Sequence, residues 1–169
     1  DLVETLAHLL VKHSVDPARI VLEVTEGVLM ESTDRNRQIL DSVRALGFKI
    51  ALDDFGTGYS SLAMLRSLPL DVLKIDRAFV ADLERDTGSS AVALAIIAMS
   101  RALGKRIVAE GIETELQANF LAEHGCDYGQ GYFWSPALPS AQFIEHCTKA
   151  GAPLVRTPSR SATHSASAI

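Results

Sequence analysis

The sequence predicts an α/β protein built on a parallel sheet. Three observations predict it. Apolar, β-branched runs alternate with amphipathic helical patterns along the chain. The connections between them are short, as in crossover units. The strand runs are almost continuously apolar, which is the composition of strands covered on both faces. The 169 residues fit one domain, and a hydrophobic content of 47% is enough to build its core.

Residues 2–12 read as a helix, with Leu2, Val3, Leu6, Leu9 and Leu10 on one stripe. Asp16-Pro17 makes a turn. Residues 20–26 form a β-branched strand carrying Glu23 and Glu26. A helix follows over about 33–46, capped by Ser32 or Thr33 and stopped by Gly47. Residues 48–52 are the next strand, and 60–68 a short helix ending before Pro69. A third strand covers 72–76, and a short helix covers about 79–83. A long apolar helix over about 90–103 ends at Gly104. The fourth strand is 106–110. Thr114 and Gln117 have capping-box spacing and open a helix reaching about Glu123. Residues 127–133 give a short fifth strand, and 140–149 the last helix, with Ser140 as cap. Beyond residue 150 the composition turns to Ser, Thr, Pro and Ala, a tail expected to be disordered over 151–169.

Composition excludes several function classes. The net charge of −5 argues against a DNA-binding surface. Cys126 and Cys147 make no disulfide framework, and a reducing cytoplasm is the expected compartment. The five histidines lack ligand spacing and read as surface or helix-end residues. No apolar run approaches the roughly 20 residues that span a bilayer.

The polar residues of the strands fall at their carboxyl ends. Glu23 closes the first apolar run, Asp53 and Asp54 the second, Lys74 and Asp76 the third, and Glu110 the fourth. Gln130 sits in the fifth between Gly129 and Gly131. In a parallel sheet all of these converge on one rim, at a barrel mouth or at a switch-point crevice. Adjacent carboxylates there repel each other and resist desolvation, so a cation is expected among them. The set holds no Cys or His, which favours hard Mg²⁺ or Mn²⁺ over structural zinc. The Gly56-Thr57-Gly58 turn can aim backbone N–H groups at an anion. Cation site and anion cradle together suit a phosphorylated ligand, and two ions sharing an aspartate suit phosphodiester cleavage. Lys74 then orients water or stabilises phosphate charge, or else simply bridges a neighbouring carboxylate.

Several stretches taken in order resemble the C-terminal part of an EAL domain. They are Leu22-Glu23-Val24-Thr25-Glu26, Leu52-Asp53-Asp54-Phe55-Gly56-Thr57-Gly58-Tyr59-Ser60-Ser61-Leu62, Leu73-Lys74-Ile75-Asp76, Val108-Ala109-Glu110-Gly111-Ile112-Glu113 and Asp127-Tyr128-Gly129-Gln130-Gly131-Tyr132, with Pro136 beyond. The resemblance covers residues 1–150. It implies a (β/α)8 barrel like that of triosephosphate isomerase, of which about the last five β/α units are present. It implies a phosphodiesterase that opens cyclic di-GMP to linear pGpG with two Mg²⁺ or Mn²⁺ ions. The alternative is a receptor that binds cyclic di-GMP without cutting it. By the matching motifs, Glu23, Asp53, Asp54 and Glu110 are metal ligands. Lys74, Glu110 and Gln130 are catalytic, with Lys74 on the attacking water and Glu110 a candidate base. Glu26 holds the loop after Asp54, and Gly131, Tyr132 and Pro136 meet the substrate. The resemblance also implies a homodimer through the 54–61 loop and the 90–103 helix, and sensory or GGDEF-type domains N-terminal in the parent protein. The family's Glu-Ala-Leu strand and an asparagine ligand have no counterpart here. A barrel takes about 250 residues, so this chain is expected to be a fragment, inactive alone, with two open sheet edges.

Overall fold

The structure is a computed structural model, and it describes residues 1–30, 34–56, 62–83 and 87–150. The expected cap at Ser32 or Thr33, the turn at 57–61 and the 151–169 tail lie outside the described residues.

The chain opens with α1 (Leu2–His13), capped by Asp1. A single 3-10 turn (Pro17–Arg19), capped by Asp16, leads into β1 (Val21–Thr25). Glu26 does not extend that strand. It opens a short helix, α2 (Glu26–Met30). Then come α3 (Asp34–Ala45), β2 (Lys49–Phe55), α4 (Leu62–Ser67) and β3 (Val72–Ile75). The chain continues through α5 (Arg77–Ala81), α6 (Thr87–Ala102), β4 (Arg106–Ala109), α7 (Glu115–Glu123), β5 (Tyr128–Gly129) and α8 (Ser140–Ala150).

All neighbouring strands pair in parallel, in the order β1-β2-β3-β4-β5. Spatial order follows chain order without reversal. That is the progression of a barrel wall, and it has no switch point. Five parallel strands with flanking helices make a partial α/β barrel.

The two faces of the sheet are chemically distinct because side chains alternate along a strand. Ile50, Leu52, Leu73, Ile75, Ile107 and Ala109 are fully buried and join the main core. Leu40 and Val43 of α3, and Ala93, Ile96 and Ile97 of α6, complete that core. The opposite face carries Val21, Glu23, Ala51, Val72, Lys74, Arg106, Val108, Tyr128 and Gln130, which line a cavity of about 360 Å³. Functional residues and core residues are thus interleaved at every second position.

Two strands differ from expectation. β2 runs three residues beyond Leu52, through Asp53 and Asp54 to Phe55. β5 is only two residues long. The Gln130 N–H still bonds the Ala109 carbonyl of β4 at 2.8 Å, and from there the chain turns to the loop after β4. The Ile112 N–H donates to the Gln130 carbonyl at 3.1 Å, and the Phe133 N–H to the Ile112 carbonyl at 3.0 Å. Gly131 permits this approach, since a Cβ there would lie 2.1 Å from the Ile112 carbonyl oxygen. The last helix begins at Ser140 rather than being capped by it, and the Phe143 N–H bonds the Pro139 carbonyl.

Candidate functional site

The site is built on one face of the sheet, from the middle of β1 and from the carboxyl-terminal parts of β2 to β4. Glu23 and Asp53 come from β1 and β2, Lys74 from β3, and Glu110 from the residue after β4. The Lys74 ammonium donates to all three carboxylates. It lies 2.7 Å from Glu23 Oε2, 2.9 Å from Asp53 Oδ1 and 2.5 Å from Glu110 Oε1. The lysine side chain is 6% exposed, against 50% for Glu23 and 21% for Glu110, so the cation is the buried centre and the acids are its rim. Burial acts to lower the Lys74 pKa. Hydrogen bonds to Glu110, Glu23 and Asp53 outweigh it and hold the value above that of an ordinary lysine. Burial pushes the Glu110 carboxyl up, and the Lys74 hydrogen bond only partly opposes this.

Two consecutive aspartates on a regular strand would point to opposite faces. A bulge prevents that here. The β2–β3 register shifts between Leu52 and Phe55, where three steps on β2 answer two steps from Leu73 to Ile75 on β3. Asp54 takes the extra position in the left-handed region, at φ 55°. Its N–H donates to Asp53 Oδ1 at 3.1 Å. Asp53 then faces Lys74, while Asp54 turns to Asp76 and shares a side-chain hydrogen bond with it. Desolvation, the Asp53 charge and this Asp76 contact all raise the Asp54 pKa.

Asp76 is the residue that sequence reasoning placed at a strand end but left out of the site. It caps α5 by accepting the Ala78 N–H at 2.7 Å, and its carboxyl meets Asp54. The signal was there: it lies two positions beyond Lys74, on the same side of an extended chain. Arg106 and Tyr128 were also passed over. They line the same cavity one layer down, where Arg106 Nη1 donates to the Tyr128 hydroxyl at 3.3 Å.

The structure therefore brings Glu23, Asp53, Lys74 and Glu110 together and sets Asp54 beside Asp76. Gln130 lines the cavity, one residue past β5 rather than within a strand. Glu26 is buried at the start of α2. Gly131, Tyr132 and Pro136 lie in the segment after β5 and are neither cavity-lining nor partners of Lys74. Tyr132 is 74% exposed.

Four carboxylates against one ammonium leave an excess of negative charge on hard oxygen donors, which fits a divalent cation of the Mg²⁺ or Mn²⁺ type. Three of those carboxylates are set around the ammonium. Among the described residues, no three acidic, His or Cys side chains are set around a metal position.

The EAL domain family model matches residues 1–137. The chain is 43% identical over 143 residues to the bifunctional diguanylate cyclase/cyclic di-GMP phosphodiesterase MucR of Pseudomonas aeruginosa, covering 85% of this chain and 21% of that protein. It superimposes on the solved MucR phosphodiesterase–cyclic di-GMP complex with a TM-score of 0.81 and 44% identity, covering 84% of this chain and 57% of that one. It also resembles the manganese/cyclic di-GMP complex of BlrP1 from Klebsiella pneumoniae, with a TM-score of 0.74 and 32% identity over 79% of this chain and 34% of that one. The chain spans about a fifth of the length of the curated relatives it matches.

Proposed function

The chain belongs to the EAL-domain family, and from that membership we propose that it supplies most of the catalytic rim of a cytoplasmic phosphodiesterase that hydrolyses cyclic di-GMP to linear pGpG. The observation that carries this reading is the meeting of Glu23, Asp53 and Glu110 on Lys74, on one face of four successive parallel strands.

Glu23, Asp53, Asp54 and Glu110 are the residues that would hold two Mg²⁺ or Mn²⁺ ions. Bound there, such ions supply Lewis acidity toward the phosphodiester and lower the pKa of a water. Glu110 accepts the water proton. Burial raises its basicity above that of an ordinary glutamate, the direction a general base needs. Lys74 presents a fixed positive charge where the phosphate gathers negative charge. Gln130 offers an amide from the cavity wall. Glu26, buried behind β1, holds the loop that follows Asp54. Gly131, Tyr132 and Pro136 contact the dinucleotide from the segment after β5.

An apolar groove of about 710 Å³ runs along α6, lined by Val92, Ala95, Ile96, Met99 and Leu103 beside Gly56. It supports a homodimer through this helix and the 54–61 loop. GGDEF-type or sensory domains N-terminal to the EAL domain belong to the same proposal.

The test is hydrolysis of cyclic di-GMP by the full-length protein in Mg²⁺ and in Mn²⁺, with pGpG resolved by chromatography. Asp53→Asn is expected to lower turnover by about a hundredfold or more, since it weakens the metal site directly. Absence of turnover in both metals defeats the enzyme reading. Tight binding without turnover would assign the chain to the non-catalytic receptors instead.

A further inference from the structure

The three carboxylates on Lys74 do more than surround a lysine. Its ammonium sits where the negative charges meet, and its side chain is 94% removed from solvent (6% exposed). Glu23, Asp53 and Glu110 come from β1, from β2 and from the residue after β4, and each directs an oxygen at one nitrogen within 2.9 Å. Without a cation at that point, three acids would converge with nothing to neutralise them, and each would lose its reason to face the others.

We propose that Lys74 is the resident counter-ion of the cluster. It holds Glu23, Asp53 and Glu110 in place until a divalent cation arrives, and loading then proceeds by exchange, with the carboxylate oxygens passing from the ammonium to the metal. The inference rests on the metal-binding reading above. It adds a distinct consequence: Lys74 opposes metal binding while it organises the ligands. Glu23 is the first oxygen to pass over, because it is the most exposed of the three partners. A lysine that acted only on water or phosphate would also repel the ion by its charge, but it would not hold the empty ligands together, so its loss would leave the melting temperature in chelator unchanged.

The experiment is Mn²⁺ binding to the full-length protein by titration calorimetry without substrate, for the wild type, Lys74→Met and Lys74→Arg. Removing one positive charge beside a divalent ion is worth about tenfold or more in affinity even when water screens most of the attraction. Lys74→Met is therefore expected to bind Mn²⁺ at least about tenfold more tightly than the wild type, and Lys74→Arg like the wild type. Lys74→Met is also expected to melt lower than the wild type in chelator and to recover most of the difference in Mn²⁺. Should Lys74→Met fail to fold, Lys74→Gln, neutral but still a donor, carries the same comparison. Equal or weaker Mn²⁺ binding by the neutral variant, with the wild type binding, overturns the counter-ion role and leaves the metal site standing. Binding by the neutral variant alone supports the counter-ion role. Binding by neither chain overturns both.

Discussion

Asp54 concentrates the physical tension of the site in one residue. It is a non-glycine residue at φ 55°, a region that Asp and Asn tolerate better than other side chains. Its carboxyl is pushed above the ordinary value of 3.8, first by desolvation and then by the charges of Asp53 and Asp76. In the window just above 3.8 the folded state therefore holds more proton than the unfolded state. Stability falls as pH rises through that window, and the full cost is present at neutral pH. Asp54→Asn keeps the backbone preference, turns the Asp76 contact into an amide-to-carboxylate hydrogen bond and removes the charge. In chelator it is expected to melt above the wild type at pH 7 and together with it below pH 3.8, by thermal denaturation. A variant melting below the wild type at neutral pH would show that the backbone, not the charge, dominates. Cys126 gives an independent case with the same sign. Burial raises its thiol to about 11 from 9.0, and its Sγ lies 3.1 Å from the Tyr128 carbonyl oxygen, to which it donates. It is expected to resist a disulfide reagent at pH 8 until the protein unfolds, while the less buried Cys147 reacts at once. Its contribution to stability is lost as pH rises from about 9 toward 11.

At the scale of the element, the loop between β4 and α7 decides where Glu110 stands, and a single side chain closes it. Gln117 is buried, and its Oε1 accepts the N–H groups of Glu113 at 2.8 Å and Thr114 at 3.1 Å. Thr114 Oγ1 in return accepts the Gln117 N–H at 3.2 Å. Gln117→Leu leaves two N–H donors without that partner and is expected to cost about 1–3 kcal/mol. Thr114→Ala is expected to cost about 1 kcal/mol. Denaturant unfolding reads both, and the larger loss belongs to Gln117. This box was legible in the sequence because it is a local signal, two residues at fixed spacing. The five strands and most of their rim were legible for a similar reason: apolar runs end visibly, and Lys74 and Glu110 mark the ends of two of them, whereas Glu23, read as a strand end, is the middle residue of β1. What was not legible depended on partners. Asp53 and Asp54 read as the end of a strand, yet β2 continues through them because β3 and the bulge keep pairing as far as Phe55. The fifth strand read as seven residues and is two, because past the Gln130 N–H, which still bonds Ala109 of β4, the Gln130 carbonyl and the Phe133 N–H bond the loop at Ile112 instead. Glu26 read as strand because its neighbours are β-branched, but it begins α2. Pairing register and bulges are tertiary facts, and one sequence carries little trace of them.

At the scale of the whole molecule, the sheet has two ends. Among the described residues no strand pairs with the outer side of β1 or of β5. Such edges present rows of backbone donors and acceptors that can template association. The β1 side is also apolar. Val21 is 42% exposed and Val28 51%, and beside them a groove of about 320 Å³ is lined by Leu2, Leu6, Leu22, Val24 and Ile39. In the relatives the matched region is about a fifth of the chain, and in the solved MucR complex it is 57% of the chain. Residues 1–169 expressed alone are therefore expected to self-associate at micromolar concentration. Light scattering coupled to size exclusion would show species heavier than the 18.2 kDa chain. They are also expected to hydrolyse no cyclic di-GMP. Val21→Lys places a charge on the edge strand, on the face that lines the 360 Å³ cavity and away from the main core, the device natural edge strands use against pairing. It is expected to break down species larger than the α6-joined dimer without changing the melting temperature, while Val92→Lys, in the α6 groove, leaves the association through β1 intact. If Val92→Lys alone yields monomer, the helix rather than the sheet edge is what holds the copies together.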